Sequence, residues 1–189
     1  MSDRVIITPY NLAWPAWFAQ IAAFVAPALS VPYAIEHVGS TAVPGLAAKP
    51  IIDVDIVIAG HVMPQVFAGL STIGYGHRGD LGIPGREAFA LIDTEMKRML
   101  PPHHLYACPS DGAELRKHLL FRDYLRTHPE AVMKYAAVKT QLAEQYGADR
   151  DGYTQAKTPC IHEIMRKADA WTLEMGWETG ASIWRSSIP

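Results

Sequence analysis

The chain has 189 residues, of which 49% are hydrophobic and 19% charged, and its formal net charge is -2. That length and hydrophobicity support one self-closing core over residues 1–189 and exclude a long disordered or low-complexity protein. A near-neutral balance without a Lys/Arg run argues against nucleic acid or an anionic membrane surface as partner, and no apolar run approaches bilayer-spanning length.

Trp14, Trp17, Phe18, Ile21, Val25 and Leu29 recur at helical spacing, which predicts an amphipathic helix from Trp14 to Leu29 with Pro15 in its first turn. Tyr33 to Val38 reads as a short strand, and the Gly- and Pro-bearing stretch that follows reads as a broken turn. Ile51 to Ile58 is β-branched almost throughout and predicts a second strand; its two polar side chains, Asp53 and Asp55, stand two apart and share one face. Next come an expected helix over 61–73, short strands over 75–78 and 87–92 joined by a turn at 80–86, and a further strand over 103–108. The second half is helical. Asp111-Gly-Ala-Glu114 has capping-box spacing and should open a helix running to about Thr127. Another is expected from Pro129 to Tyr146, with Val132, Tyr135, Val138 and Leu142 inward, and a third from about Tyr153 to Trp171. The reading is an α+β fold: a mixed sheet over about 30–108 flanked by helices, with a helical part over about 111–177 and no internal repeat.

The informative constellation is Gly39-Ser40, a loop, then Asp53-Val54-Asp55 on a strand. Two residues along a strand rise roughly 6.6 Å, a spacing that suits carboxylates gripping one divalent ion or a close pair of ions at a phosphoryl-transfer site. At roughly 5 Å and an effective dielectric of about 20 the bare pair would repel by on the order of 3 kcal/mol, which a hard cation removes. Gly39 lets backbone approach a phosphate closely, and Ser40 adds a hydroxyl donor. An Asp-x-Asp also suits the solvent side of an edge strand, and Gly-Ser suits any turn. The order of the two, with apolar residues flanking each carboxylate, favours a site. Positive charge for a phosphate is available from Lys49, Arg122, Arg126, Lys139 and Lys157; Arg122 and Arg126 share a helical face and equally suit salt bridges to Asp123 or Glu130.

The stretch Ile35-Glu-His-Val-Gly-Ser-Thr-Ala-Val-Pro-Gly-Leu-Ala-Ala-Lys-Pro-Ile-Ile-Asp-Val-Asp55 resembles the signature of the GrpB family, proteins of the polymerase-beta-like nucleotidyltransferase superfamily that also occur fused to dephospho-CoA kinase. The likeness runs along nearly the whole chain: Tyr10 to Phe18, His104-Leu-Tyr106, Phe121-Arg-Asp-Tyr-Leu-Arg126 and Tyr153-x-x-x-Lys157 are each similar to family segments. The resemblance implies a nucleotidyltransferase-like fold with a phosphate-handling pocket. Gly39 and Ser40 match the superfamily's Gly-Ser, and Asp53 and Asp55 match its strand carboxylates. Where the superfamily usually adds a third acid, this chain offers His104, with Tyr106 in place of the family's second His. An imidazole suits manganese, zinc or iron better than magnesium.

The expectation is therefore a metal-dependent nucleotidyl or phosphoryl transferase using Mg or Mn. Asp53, Asp55 and His104 would hold the metal, Gly39 and Ser40 would seat nucleotide phosphates, and Lys49, Arg122 and Lys157 would neutralise charge. Two rivals share those residues: a non-catalytic nucleotide- or CoA-binding module, and a metal-dependent phosphohydrolase. The Tyr153/Lys157 spacing also matches short-chain dehydrogenases, but no Gly-x-Gly-x-x-Gly follows a first strand. His103, His104 and Cys108, or Cys160 with His162, lack the paired spacing of structural zinc sites. Gly82-Ile-Pro-Gly-Arg86 resembles a family loop, which would cover the pocket with Arg86 inward, and equally suits an ordinary connecting turn. Two cysteines are too few for a disulfide framework and no leader pattern is visible, so both thiols are expected reduced in the cytoplasm.

Overall fold

The computed structural model describes residues 4–179. Trp14, Ile21 and Val25 line the buried stripe of the first helix, α1 (Trp14–Val25). It stops short of Leu29 because Pro27 has no amide to donate, and the chain tightens into a 3-10 turn at Ala26–Ala28. The chain continues through β1 (Tyr33–Val38), a 3-10 turn at Ser40–Ala42, β2 (Ile52–Ile58), α2 (Met63–Thr72), β3 (Tyr75–His77), β4 (Glu87–Leu91), α3 (Thr94–Met99) and β5 (His103–Pro109). Three helices follow, α4 (Ala113–Thr127), α5 (Pro129–Tyr146) and α6 (Arg150–Met175).

The sheet has the order β1-β2-β5-β4-β3, with β2 and β5 parallel and the other pairs antiparallel, so it is mixed and the fold is α+β as expected. β2 is an interior strand between β1 and β5, which disposes of the edge-strand reading of its two aspartates. Strand alternation sorts its side chains: Ile52, Val54, Ile56 and Ile58 enter the core with α1 and α2. On the opposite face Val57 packs with Val38, Cys108 and the α4 residues Leu115 and Leu119. Asp53 and Asp55 stand on this second face, toward the helical half.

The helical half grips the loop ahead of β2. Val43 and Leu46 are fully buried among Leu120, Tyr124, Tyr135 and Ile164 of α4, α5 and α6. Burying two such side chains is worth roughly 3–6 kcal/mol, so the Gly39–Ser40 turn hangs from a packed anchor.

Several local expectations resolve differently. The Asp111/Glu114 box does not form; α4 starts after Gly112 without a side-chain cap, and Glu114 turns to Lys117 and His118 instead. α3 has no counterpart in the expected elements; its Asp93 cap accepts from the Met96 amide at 2.9 Å. On α5 the buried side chains are Tyr135, Lys139 and Ala143, and Val132, Val138 and Leu142 are only half-buried. A lysine therefore occupies the inner face of an otherwise ordinary amphipathic helix. No described helix is long and apolar enough to cross a membrane.

Candidate functional site

Gly39 has φ +69°, in the left-handed region, and a Cβ there would fall on the Asp53 carboxylate. Only glycine allows both the turn and the close approach of that acid. Asp53 is partly open and pairs in register with His104 on β5. Its Oδ1 lies 2.8 Å from His104 Nδ1, with half of the imidazole exposed.

Above this pair lies a cavity of about 570 Å³ lined by Ser40, Lys49, Asp53, His104, Lys139, Arg150, Tyr153 and Lys157, among others. Lys49 and Lys157 place their ammonium groups 4.5 and 4.7 Å from the centroid of the Tyr153 ring. Lys139 is 2% exposed; its Nζ donates to Ser40 Oγ at 3.1 Å and lies 4.5 Å from the centre of the Tyr135 ring. Burial lowers the pKa of Lys139 to about 7, helped by the neighbouring charge of Lys157. Burial likewise lowers Lys49 to about 8, with Lys157 and Arg150 adding repulsion, and lowers Lys157 as well. Among the described residues none of the three makes an ion pair. Asp53 offsets the charge of these lysines only in part, and an anion entering the cavity would relieve both the repulsion and the depressed pKa values.

Asp55 lies elsewhere. It is fully buried, and its Oδ2 is 2.7 Å from His118 Nδ1. The other ring nitrogen of His118 is 3.5 Å from Glu114. Burial alone would lower the His118 pKa, but hydrogen bonds and charge from Asp55 and Glu114 outweigh it and hold it up at about 10. His118 is then an imidazolium, a cation supplied by α4. Asp55 Oδ1 has no hydrogen-bond partner, and the residue is not part of the cavity wall.

The sequence-derived candidates therefore separate. Ser40, Lys49, Asp53, His104 and Lys157 meet at one cavity, joined by Lys139, with Gly39 directly beneath Asp53. Asp55, expected beside Asp53 at a shared cation, lies off the cavity wall, where α4 covers it and His118 pairs with it. Arg122 also stands apart: it is bound to Glu36 at 2.6 Å, to Asp123 at 2.7 Å and to the His37 carbonyl at 3.2 Å. Arg126 donates to the Ala42 carbonyl at 3.0 Å, so it braces the Gly39–Ala42 turn while Arg122 holds the end of β1, and neither lines the cavity. Arg86 turns inward as expected, its guanidinium 4.2 Å from the Tyr106 ring centre, but it too lies off the cavity wall.

Sequence reasoning missed His118, Arg150 and Thr154. His118 had one available signal, its spacing of four from Glu114 on a single helix. Arg150 and Thr154 had none, since they reach the cavity only through the docking of α6. As for metal, a pair of ions does not fit these residues. Among the described residues no group of three or more His, Cys, Asp or Glu side chains is gathered around a point. Asp53 and His104, 2.8 Å apart on the cavity wall, are the carboxylate and imidazole that could hold a single ion.

Residues 4–167 match the family model described as GrpB protein. The chain belongs to the GrpB family. The segment from Gly39 to Lys157, which supplies the site, lies within that match. The chain is 38% identical over 183 residues to a UPF0157 protein of Pseudomonas aeruginosa, covering 90% of this chain and 70% of that one. The fold is similar to the crystal structure of conserved protein GrpB from Enterococcus faecalis, at TM-score 0.76 and 32% identity, over 92% of this chain and all of that one. This GrpB-family chain also aligns at 29% identity with a dephospho-CoA kinase of Mycolicibacterium paratuberculosis, over 76% of its own length but 40% of the kinase.

Proposed function

We propose that the cavity seats the phosphate chain of a nucleotide and that the protein transfers a phosphoryl or nucleotidyl group from it. One observation carries this reading: Lys49, Lys139 and Lys157 converge on a single cavity beside Ser40 without ion-pair partners among the described residues. A chain of phosphates is a ligand with enough negative charge to match three amines and Arg150, and fixed positive charge is what phosphoryl transfer needs most. Asp53 and His104 would hold one divalent ion, Mg or Mn, whose contribution when bound is to neutralise charge on phosphate oxygens. The residues of the chain do the rest: the lysines bind and orient, Gly39 lets Asp53 reach the cavity floor, and Arg126 keeps the Ser40 turn in place through the Ala42 carbonyl.

Calorimetry with ATP, with and without Mg or Mn, tests the proposal directly. Binding is expected, and Lys49→Ala or Lys157→Ala should weaken it by about ten- to a hundredfold, the worth of one charge-assisted hydrogen bond. No binding of any nucleoside triphosphate under these conditions would remove the basis for the reading. A second reading, a non-catalytic nucleotide- or CoA-binding module, draws support from the engagement of Asp55 by His118, which leaves Asp53 as the strand carboxylate at the cavity. The alignment with a dephospho-CoA kinase supports it too. Triphosphate turnover that is lost in Asp53→Asn would count against this second reading.

A further inference from the structure

The contact between Ser40 and Lys139 does more than decorate a phosphate site. Both hydroxyl residues of the turn border the cavity, but Thr41 is 1% exposed and bonded to His37 at 3.0 Å, whereas Ser40 is only half-buried. The base hydrogen-bonded to Ser40 is neither Asp53, whose Oδ1 meets His104, nor Asp55, which is buried against His118. It is the amine of Lys139, 3.1 Å from Oγ and held there by the face of Tyr135. A hydroxyl beside a desolvated amine, with the amine fixed by a third group and both bordering a cavity, is the arrangement that activates a serine nucleophile. Lys139 suits the role because its burial without a carboxylate leaves a sizeable neutral fraction near pH 7.

Resting on the phosphate reading of the cavity, we propose that Ser40 is the first acceptor of the transferred group: its Oγ attacks a phosphorus of the bound phosphoanhydride and forms a covalent serine phosphoester. The Oγ–P bond forms as the P–O anhydride bond breaks. The hydroxyl proton passes to the neutral Lys139 amine, and the leaving phosphate or pyrophosphate portion departs with the bonding electron pair. A second acceptor hydroxyl, or water, then attacks the same phosphorus; Oγ leaves and regains the proton from Lys139, and the acceptor's proton goes to solvent. Lys49 and Lys157 stay charged on the phosphate oxygens, so the four cavity residues divide into nucleophile, base and two binding cations. The reaction is then a double displacement, in which the nucleotide and the final acceptor never need to be bound to the protein at the same time.

The test uses the full chain, saturating ATP labelled at either the α or the γ phosphorus, and intact and peptide mass spectrometry after an acid quench. The expected result is a stoichiometric adduct on Ser40, with the label position telling nucleotidyl from phosphoryl transfer. The adduct should be absent in Ser40→Ala. In Lys139→Arg, which keeps the charge but cannot serve as base, its rate should fall by at least about a hundredfold. Since Lys139 is buried, Lys139→Met serves as a second variant, with circular dichroism and nucleotide calorimetry confirming that each is folded and to what extent it still binds. At saturation the labelling rate of the unaltered protein should rise with pH and level off, with a midpoint above the value of about 7 that Lys139 has in the free protein, because the bound anion favours its charged form. ATP that binds without any adduct on Ser40 overturns this inference and leaves the phosphate reading standing, and so does an adduct on Lys139 itself. Failure of ATP to bind at all overturns both.

Discussion

Asp53 and Asp55 leave the same face of the same strand two residues apart, yet one belongs to a site and the other to the core. Asp55 is covered by α4 and compensated from within, by a His118 that Asp55 and Glu114 keep protonated. Asp53 lies against Gly39 near the start of the strand, half-paired with an exposed imidazole and facing lysines that make no ion pair among the described residues. The difference teaches how to tell structural charge from functional charge: the first is balanced by the fold, and the second is left for a ligand to balance.

The sharpest way to break that contrast is to remove each carboxylate in turn. Asp55→Ala strands the His118 cation in the interior and should cost about 3–5 kcal/mol in urea unfolding. Asp53→Ala should cost under about 1 kcal/mol, as befits a partly exposed pair. Equal costs would mean that the two acids are not differently employed. Next in size, Gly39→Ala forces a side chain into a left-handed conformation against Asp53 and should destabilise by about 1–3 kcal/mol. Part of that loss should return in the double variant Gly39→Ala/Asp53→Gly, whereas additive losses would show that the acid and the glycine do not touch.

Lys139→Met sharpens the comparison from the cavity side. It replaces a buried, uncompensated amine by an apolar chain and should stabilise the protein by about 1–3 kcal/mol while weakening triphosphate binding. Loss of stability in this variant would instead place Lys139 among the structural charges. The smallest effects are those of pH, and the two regions should show opposite signs. The folded-state pKa of His118 is raised to about 10, so its contribution to stability is fully present below about 6.5 and is lost as pH rises through 10. The folded-state pKa of Lys139 is lowered to about 7, so the unfolded chain binds more protons above that value and stability grows as pH rises from 7 toward the ordinary lysine range. Unfolding free energies of His118→Gln and Lys139→Met should therefore lie below and above that of the unaltered protein at pH 6, and both should close on it as pH rises to 10. By the same linkage, tripolyphosphate affinity should fall as pH rises through 7 and 8, by up to about tenfold per unit for each proton taken up, which calorimetry in buffers of different ionisation heat can count.

Most of the elements were legible because their signals are local. The helical repeat from Trp14, the β-branched run before Ile58 and the Gly39–Ser40 turn ahead of Asp53 each fit within a short window. Losses came where a local rule met a tertiary competitor. Glu114 had the spacing to cap α4, but His118 and Lys117 offered it charge, and Arg122 had the look of a phosphate ligand until Glu36 and Asp123 closed on it.

By itself the sequence determined a mixed α+β fold and a turn-and-strand signature that places a hydroxyl near a carboxylate, since backbone conformation follows from neighbours along the chain. Tertiary structure alone decided which aspartate meets solvent and which amines gather around the serine, with Lys139 reaching Ser40 across 99 positions of sequence. The reason is physical: charge is neutralised or left bare by whatever packs against it, and that is fixed only when α4, α5 and α6 dock on the sheet.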